Sequence, residues 1–330
     1  MSVIALDHVS VDYPSPAGPV SAVSDVTLEI GEGEVLGLVG ESGCGKSTLA
    51  LAIMGLLPAG ATVSGTIAFQ GRDLASLSGE EHRRLRGDRV SMIFQDPLSA
   101  LDPAFAVGTQ VAETIRAHRE ISRSDARRRA AELMAEVGIP AAADRMGDPP
   151  HRFSGGMRQR VVIASALAND PALLIADEPT TALDTTIQAQ ILALLVDLRE
   201  RHDMATLLIT HDLGVVAQAC DRVGVLYAGQ LVEVAPVTEL FAAPRHPYTQ
   251  TLVAALPTAD HARGALPRLA GGVPDLADPP AGCRFAPRCP VAQPACAELP
   301  VLAGEGDRTV ACWNDPLSRA ASERRLETTP

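Results

Sequence analysis

The first thirty residues of the chain alternate between apolar and polar positions with the two-residue period of β-strands. Val26, Leu28 and Ile30 are separated by polar side chains, and residues 3–12 are similarly strand-like. Successive side chains of a strand point to opposite faces, so this pattern is typical of strands with one buried face. It predicts two strands, at 3–12 and 23–30.

Farther along, short and uniformly apolar runs replace the alternation, at residues 35–39, 172–176 and 205–210. A strand that is apolar throughout is covered on both faces, and helices between such strands indicate a mostly parallel sheet. The predicted fold class is therefore α/β. The other expected elements are helices at 48–57, 109–118, 123–137, 156–168 and 185–201 and strands at 65–69 and 89–94.

The pattern changes again after residue 241, where proline, glycine and cysteine become dense and periodicity fades. Such a composition predicts little regular structure. We therefore expect a main domain at 1–241 and a C-terminal extension at 242–330 that ends in a mobile tail.

The strand at 35–39 leads into a loop that matches the phosphate-loop pattern G-x-x-x-x-G-K-[ST], and a helical run follows it. Backbone N–H groups of such a loop converge on an anion, and the helix directs its positive N-terminal end to the same place. Lys46 would reach the terminal phosphates of a nucleotide, and the Ser47 hydroxyl would bind Mg2+. The residues expected to contact ATP here are Gly40, Glu41, Ser42, Gly43, Cys44, Gly45, Lys46, Ser47 and Thr48.

A glycine-rich turn that only starts a helix is the simpler alternative for this loop. One observation argues against this alternative. Lys46 is the only lysine of the chain, and all the other Lys or Arg positions are arginines. A compact ammonium retained at this one position favours a phosphate contact.

A second apolar strand ends in two carboxylates, Asp177 and Glu178. The C-terminal ends of parallel strands face the nucleotide crevice, so Asp177 is placed to act on the Mg2+ shell and Glu178 to deprotonate an attacking water. Acidic pairs at strand ends also serve simply to cap the next helix, so the pair alone is weak evidence.

A third motif places two glycines at the start of a helix, directly after Ser154. Serine is a good helix N-cap, and glycines leave the first N–H groups open, which predicts a second anion cradle. Two phosphate-binding helix starts but one set of Mg2+ ligands indicate a composite site, in which this cradle closes on the nucleotide of another subunit. The expected partner contacts are Ser154, Gly155, Gly156 and Met157.

Taken in order, these motifs resemble the ATP-binding-cassette family from about residue 2 to 235. The resemblance implies a RecA-like, mostly parallel sheet core, an antiparallel β part and a helical subdomain at about 96–153. It also implies that Gln95, which follows a strand, contacts Mg2+ and the attacking water, and that His211 contacts the terminal phosphate. Asp184 would couple the two sites of a dimer, and the ring of Tyr13 would stack on adenine; an edge-strand aromatic is the alternative for Tyr13. The expected Mg2+ ligands are Ser47, Asp177 and Gln95.

The C-terminal extension indicates which subgroup of the family the chain resembles. The run Arg245-His246-Pro247-Tyr248-Thr249 and the signature variant that begins at Phe153 are similar to those of oligopeptide and dipeptide importer ATPases. The tail also carries four cysteines whose spacing is wider than the short pairs usual for zinc. The resemblance implies that they hold a 4Fe-4S cluster, with Zn2+ as an alternative and free thiols as another. They are Cys283, Cys289, Cys296 and Cys312.

Composition excludes some functions. The net charge is -12 and the pI is about 5.1, which argues against nucleic acid as the main ligand. No run approaches the roughly 18 to 20 apolar residues of a membrane span, and the N-terminus lacks the basic start of a signal peptide. We therefore expect a cytoplasmic protein whose cysteines are not in disulfides. The resemblance implies that it is peripheral on the inner face of the membrane.

The sequence thus predicts an ATP-hydrolysing subunit that powers import of oligopeptides or dipeptides. Its expected partners are a second ATPase subunit, identical or related, two transmembrane permease subunits and, indirectly, an extracytoplasmic peptide-binding protein. An importer for another small solute such as nickel is the alternative.

A soluble cassette ATPase of DNA repair would carry a long coiled coil between the two phosphate motifs, and the short segment here lacks sustained heptads. A GTPase needs a guanine-reading lysine that this chain does not contain.

Overall fold

The computed structural model describes residues 2–16, 18–96, 100–181, 183–256 and 271–328. The strands are β1 Ser2–Tyr13, β2 Val20–Gly31, β3 Val35–Val39, β4 Thr62–Phe69, β5 Arg72–Asp73, β6 Val90–Ile93, β7 Leu173–Asp177, β8 Ala205–Thr210, β9 Arg222–Tyr227, β10 Gln230–Pro236, β11 Ala303–Glu305 and β12 Arg308–Val310. The helices are α1 Lys46–Met54, α2 Gly79–Leu85, α3 Val107–Arg116, α4 Arg123–Glu136, α5 Ala142–Arg145, α6 Gly155–Ala166, α7 Thr185–His202, α8 Leu213–Ala219, α9 Val237–Ala242, α10 Pro247–Ala254 and α11 Pro316–Thr328.

The chain divides into two compact units. The first unit comprises Met1–Ile4, Ile30–Glu34 and Ala68–Ile209. The second comprises Ala5–Glu29, Val35–Ile67 and Thr210–Pro330.

The first unit contains a parallel arrangement of β6, β7 and β8. Strand β7 pairs with β6 on one side and with β8 on the other, both in parallel register. Every residue of β7 and β8 is buried, which explains why most of their residues are apolar. The prediction of buried parallel strands is confirmed here. Helices α3, α4, α5 and α6 follow β6 in sequence and belong to this unit, as α2 and α7 also do.

The second unit contains β3, which pairs in parallel with β9. Strand β9 continues into β10 as an antiparallel pair. The unit also holds most of β1, β2 and β4, which are neighbours in the order β2-β1-β4. In β2 the buried residues include Val26, Leu28 and Ile30, so the alternation in the sequence does mark one buried face.

The helix after β3 differs from its predicted range of 48–57. It begins two residues earlier, at Lys46, and ends at Met54. Gly55 closes it in a left-handed conformation, with φ of 61°, that favours glycine. The apolar residues that follow therefore lie beyond the helix.

The prediction of little regular structure after residue 241 is wrong for the described part of the extension. Helices α10 and α11 lie there, and β12 pairs with β10 through Val310 and Thr309. The strands of the extension are too short to show a period in the sequence, and β12 is ordered by pairing with a strand more than 70 residues earlier. Residues 257–270 and 329–330 lie outside the described residues. The domain division between 1–241 and 242–330 stays a prediction.

Candidate nucleotide-binding site

The predicted phosphate loop connects the buried strand β3 to helix α1, in the second unit. Two of its glycines cannot be replaced without a clash. A Cβ atom on Gly45, whose φ is 103°, would lie 2.3 Å from the carbonyl oxygen of Ala22, and one on Gly40 would lie 2.1 Å from that of Leu226. The loop therefore needs glycine both for its backbone angles and for its close approach to neighbouring strands.

Lys46 is folded back over this loop. Its ammonium donates hydrogen bonds to the carbonyl oxygens of Gly40 and Glu41, at 2.8 Å and 3.1 Å, and the side chain is buried. The cation is thus held at the N-terminal end of α1, where the helix dipole also favours an anion. Ser47 is exposed beside it. This arrangement can receive a phosphate group.

Tyr13 lies next to the same helix start. Its hydroxyl donates to the hydroxyl oxygen of Thr48, with 3.3 Å between the two oxygens. The structure therefore brings the predicted adenine-stacking ring close to the phosphate loop. Its stacking role stays a prediction.

The acidic strand end lies in the first unit. Asp177 is the last residue of β7 and is buried, and Glu178 follows with a positive φ of 47°. The Glu178 carboxylate accepts hydrogen bonds from the Gln95 amide at 3.0 Å and from the Thr181 hydroxyl at 2.8 Å. The structure thus brings Gln95 and Glu178 together, as expected of residues that act on the same water. Thr181 was missed, although its spacing of three residues from Glu178 is typical of such a bond.

The signature motif also has the predicted local structure. Ser154 is the N-cap of α6, and its hydroxyl accepts a hydrogen bond from the backbone N–H of Met157 at 3.3 Å. A Cβ atom on Gly156 would lie 2.6 Å from a methyl group of Ile187 in α7, whereas one on Gly155 would meet only an ordinary contact at 3.6 Å. Glycine at 156 is therefore required by helix packing, which the sequence did not reveal.

Arg145 contacts two residues of this signature, Phe153 and Met157. Its guanidinium lies 4.2 Å from the centre of the Phe153 ring, and one nitrogen lies 3.6 Å from the Met157 sulfur. It also donates to the carbonyl oxygen of Arg152 at 3.1 Å. A cation over an aromatic ring favours phenylalanine at this position. Sequence reasoning gave no signal for Arg145.

Two further predicted residues lie at the ends of strands or helices. Asp184 is the N-cap of α7 and accepts a hydrogen bond from the backbone N–H of Ile187 at 3.0 Å. His211 follows β8 and is exposed. Of the wider motifs, Pro97 and Ala182 lie outside the described residues. The roles of Asp184 and His211 in ATP binding stay predictions.

The four cysteines of the extension all carry free thiols. Burial and, to a smaller extent, the neighbouring thiols of Cys296, Cys312 and Cys289 together raise the pKa of Cys283 to about 11. The pKa values of Cys289 and Cys312 are also raised, again mainly by burial and then by other thiols of the set. The four side chains are therefore close enough to influence one another's charge.

Within the residues that the structure describes, no three or more His, Cys, Asp or Glu side chains form a group that could hold a metal ion. The structure lends no support of its own to the predicted iron-sulfur cluster.

The fold and the two phosphate-binding motifs define an ATP-binding cassette. The family described as ABC transporter matches residues 23–181, and the family described as the C-terminal region of oligopeptide/dipeptide transporters matches residues 232–296. The structure superposes on a solved bacterial ABC transporter cassette with a TM-score of 0.64 at 30% identity, over 71% of this chain and 98% of that one. A related structure, a dimer in a post-hydrolysis state bound to ADP and Pi, has the same TM-score at 29% identity and the same coverage.

The sequence is similar to proteins of known transporter families. It is 48% identical to the dipeptide transport ATP-binding protein of Escherichia coli, over 92% of this chain and 93% of that protein. It is 45% identical to the dipeptide transport ATP-binding protein of Bacillus subtilis, over 94% of each. A Sinorhizobium fredii protein described as a "probable peptide ABC transporter ATP-binding protein" is 51% identical, over 88% of this chain and 89% of its own length. The chain belongs to the ABC transporter ATP-binding proteins of the oligopeptide and dipeptide importer family.

None of the helices in the described ranges is both long and apolar enough to cross a membrane.

Proposed function

We propose that this chain is the ATP-hydrolysing subunit that powers import of oligopeptides or dipeptides through a membrane transporter. The observation that carries the proposal is the phosphate loop, in which a buried Lys46 is held over the carbonyl oxygens of Gly40 and Glu41 at the start of α1. The cargo class follows from the matched C-terminal region and from relatives that are named as dipeptide transport ATP-binding proteins.

In this proposal Glu178 is the general base that deprotonates the attacking water, and Gln95 orients its carboxylate. Mg2+ would neutralise charge on the phosphates. The residues that would hold it, Ser47, Asp177 and Gln95, offer the oxygen donors that Mg2+ prefers. His211 would contact the terminal phosphate. Positioning and charge neutralisation carry most of the rate enhancement in phosphoryl transfer.

The ATP site would be completed by a second cassette. The N-capped helix that begins after Ser154 presents Gly155 and Gly156 at a positive helix end, which suits the phosphates of a nucleotide held by a partner. The similarity to a cassette solved as a dimer with ADP and Pi supports this arrangement. Asp184 would lie at the same interface.

The membrane partners would be two permease subunits, with a peptide-binding protein acting from outside the cell. The segment between Gln95 and His151 would contact them. It is flanked by Phe94 and contains Phe105, two large apolar side chains that are 43% and 53% exposed. Apolar side chains left exposed in this way suit a protein interface. The chain would then sit on the cytoplasmic face of the membrane.

In addition to ATP and Mg2+, the proposal includes a cofactor in the C-terminal extension. There Cys283, Cys289, Cys296 and Cys312 would hold a 4Fe-4S cluster. The proposal rests on the resemblance of this four-cysteine tail to that of oligopeptide and dipeptide importer ATPases, and four thiolates are the ligand set of such a cluster. Zn2+ is the alternative. The visible absorption spectrum of protein purified without oxygen distinguishes them, because a cluster absorbs there and zinc does not, and Cys289→Ser removes that absorption.

The transport function is tested by measuring uptake of labelled dipeptides and oligopeptides in cells that lack this chain. We expect the wild-type chain to restore uptake and Lys46→Ala to fail at equal expression. Labelled nickel, measured in the same cells, tests the other cargo: restored nickel uptake without peptide uptake would contradict the peptide proposal.

A further inference from the structure

Glu41, the second residue of the phosphate loop, contacts two residues of the C-terminal extension. Its backbone N–H donates a hydrogen bond to the hydroxyl oxygen of Tyr248, at 3.0 Å. Its carboxylate accepts two hydrogen bonds from the guanidinium of Arg288, at 2.8 Å and 3.1 Å. Such a two-point contact fixes both the distance and the orientation of the pair.

Arg288 is held firmly in place for this contact. Its side chain is only 7% exposed, and it also donates a hydrogen bond to the hydroxyl of Tyr227 at 3.1 Å. The ring of Tyr227 packs against those of Tyr248 and Phe285, with centres 4.6 Å and 5.2 Å apart. The arginine therefore belongs to a packed aromatic cluster and is not a mobile surface side chain.

Glu41 places a negative charge on a loop that binds negatively charged phosphates. A phosphate loop binds a polyanion, and a free carboxylate on the loop would repel it. The Arg288 guanidinium neutralises that carboxylate at hydrogen-bond distance. Because the arginine side chain is largely shielded from water, salt screens this ion pair less than it screens exposed charges.

We propose that Arg288 is a positioning residue of the ATP site, which masks the negative charge of Glu41 and holds the phosphate loop in its binding shape. The inference rests on the proposed function, in that ATP is the ligand of the loop. It makes the C-terminal extension a part of the nucleotide site, in addition to any cofactor that its cysteines bind.

The test is a titration of purified protein with a fluorescent ATP analogue and Mg2+. We expect Arg288→Gln to weaken binding about ten-fold, as one unmasked charge near a phosphate would do. Glu41→Gln should bind two- to three-fold more tightly than the wild type, since it leaves the positive charge of Arg288 unneutralised near the phosphates. The double variant Glu41→Gln/Arg288→Gln should recover most of the loss seen in Arg288→Gln.

A purely structural role for Arg288 gives a different result, because the double variant would then bind as weakly as Arg288→Gln. That outcome, or unchanged binding by Arg288→Gln, would overturn the proposal. The ten-fold deficit should also shrink when the salt concentration is raised, as expected of a charge effect.

Arg245→Gln is the matched control, since Arg245 forms an ion pair with Asp315 at 3.7 Å within the extension and is no part of the proposed site. It should bind the analogue like the wild type. Glu41→Gln keeps the test decisive even if Arg288→Gln does not fold, because weaker binding by Glu41→Gln contradicts charge masking. Wild-type protein that binds no analogue would instead refute the proposed function.

Discussion

The side-chain amide of Gln95 donates a hydrogen bond to the carboxylate of Glu178, with 3.0 Å between the two atoms. These residues are separated by 83 positions and follow β6 and β7, which are neighbouring parallel strands. The same carboxylate oxygen also accepts a hydrogen bond from the Thr181 hydroxyl, at 2.8 Å. A carboxylate held in this way is oriented before a water arrives.

Replacing the general base should separate binding from hydrolysis. We expect Glu178→Gln to bind ATP and to hydrolyse it on the order of a hundred- to ten-thousand-fold more slowly, because the amide cannot take a proton. Phosphate release measures the rate, and size-exclusion chromatography with ATP should show an accumulated dimer. Thr181→Val is the control and should slow hydrolysis only a few-fold. Undiminished turnover in Glu178→Gln would refute its role.

Removing the ammonium of Lys46 should abolish most nucleotide affinity. Lys46→Ala deletes a charged hydrogen-bond donor that is buried at the start of α1, so we expect roughly ten- to a hundred-fold weaker ATP binding. The measurement is the ATP-dependent rise in melting temperature. A rise equal to that of the wild type would count against the phosphate-loop assignment.

Two adjacent glycines should respond differently to the same substitution. Gly156→Ala places a methyl group against Ile187, which we expect to cost about 1 to 3 kcal/mol of unfolding free energy. Gly155→Ala is the matched control and should be neutral or slightly stabilising, because its new methyl group meets only an ordinary contact. Urea unfolding measures both. Trimming the opposing side chain with Ile187→Ala should relieve the Gly156→Ala defect, and equal stability of the two glycine variants would contradict the packing argument.

The buried side chain of His246 should make the protein sensitive to acid. Burial lowers its pKa to about 3, and its ring nitrogen accepts a hydrogen bond from the backbone N–H of Tyr248. The unfolded chain, with a pKa near 6.5, takes up a proton first, so stability is full above pH 6.5 and falls as the pH drops towards 3. At pH 5 the loss from this residue should be about 2 kcal/mol.

Comparison with His246→Asn isolates this effect, because asparagine can keep the helix cap without titrating. Urea midpoints at pH 7 and pH 5 should differ more in the wild type than in the variant. An identical pH dependence of the two proteins would show that His246 does not carry the acid sensitivity.

Features formed by residues that are close together in the sequence were predictable from the sequence alone. The glycines and the lysine of the phosphate loop lie within seven residues of one another, and their order between an apolar strand and a helix specifies both the turn and its anion preference. The buried strands β3, β7 and β8 were also predictable, because strands covered on both faces need apolar residues at every position. The cap at Ser154 follows from the same local rules.

Contacts between distant parts of the chain were decided only by the tertiary structure. Arg288 lies 247 positions from Glu41, and the two meet because the extension returns to the phosphate loop. Similarly, the need for glycine at position 156 depends on where α7 places Ile187. Strand β12 was missed because its three residues are ordered by pairing with β10 and not by a pattern of their own. Periodicity and capping record the neighbours of a residue along one helix or strand, whereas these contacts depend on the path of the backbone between elements.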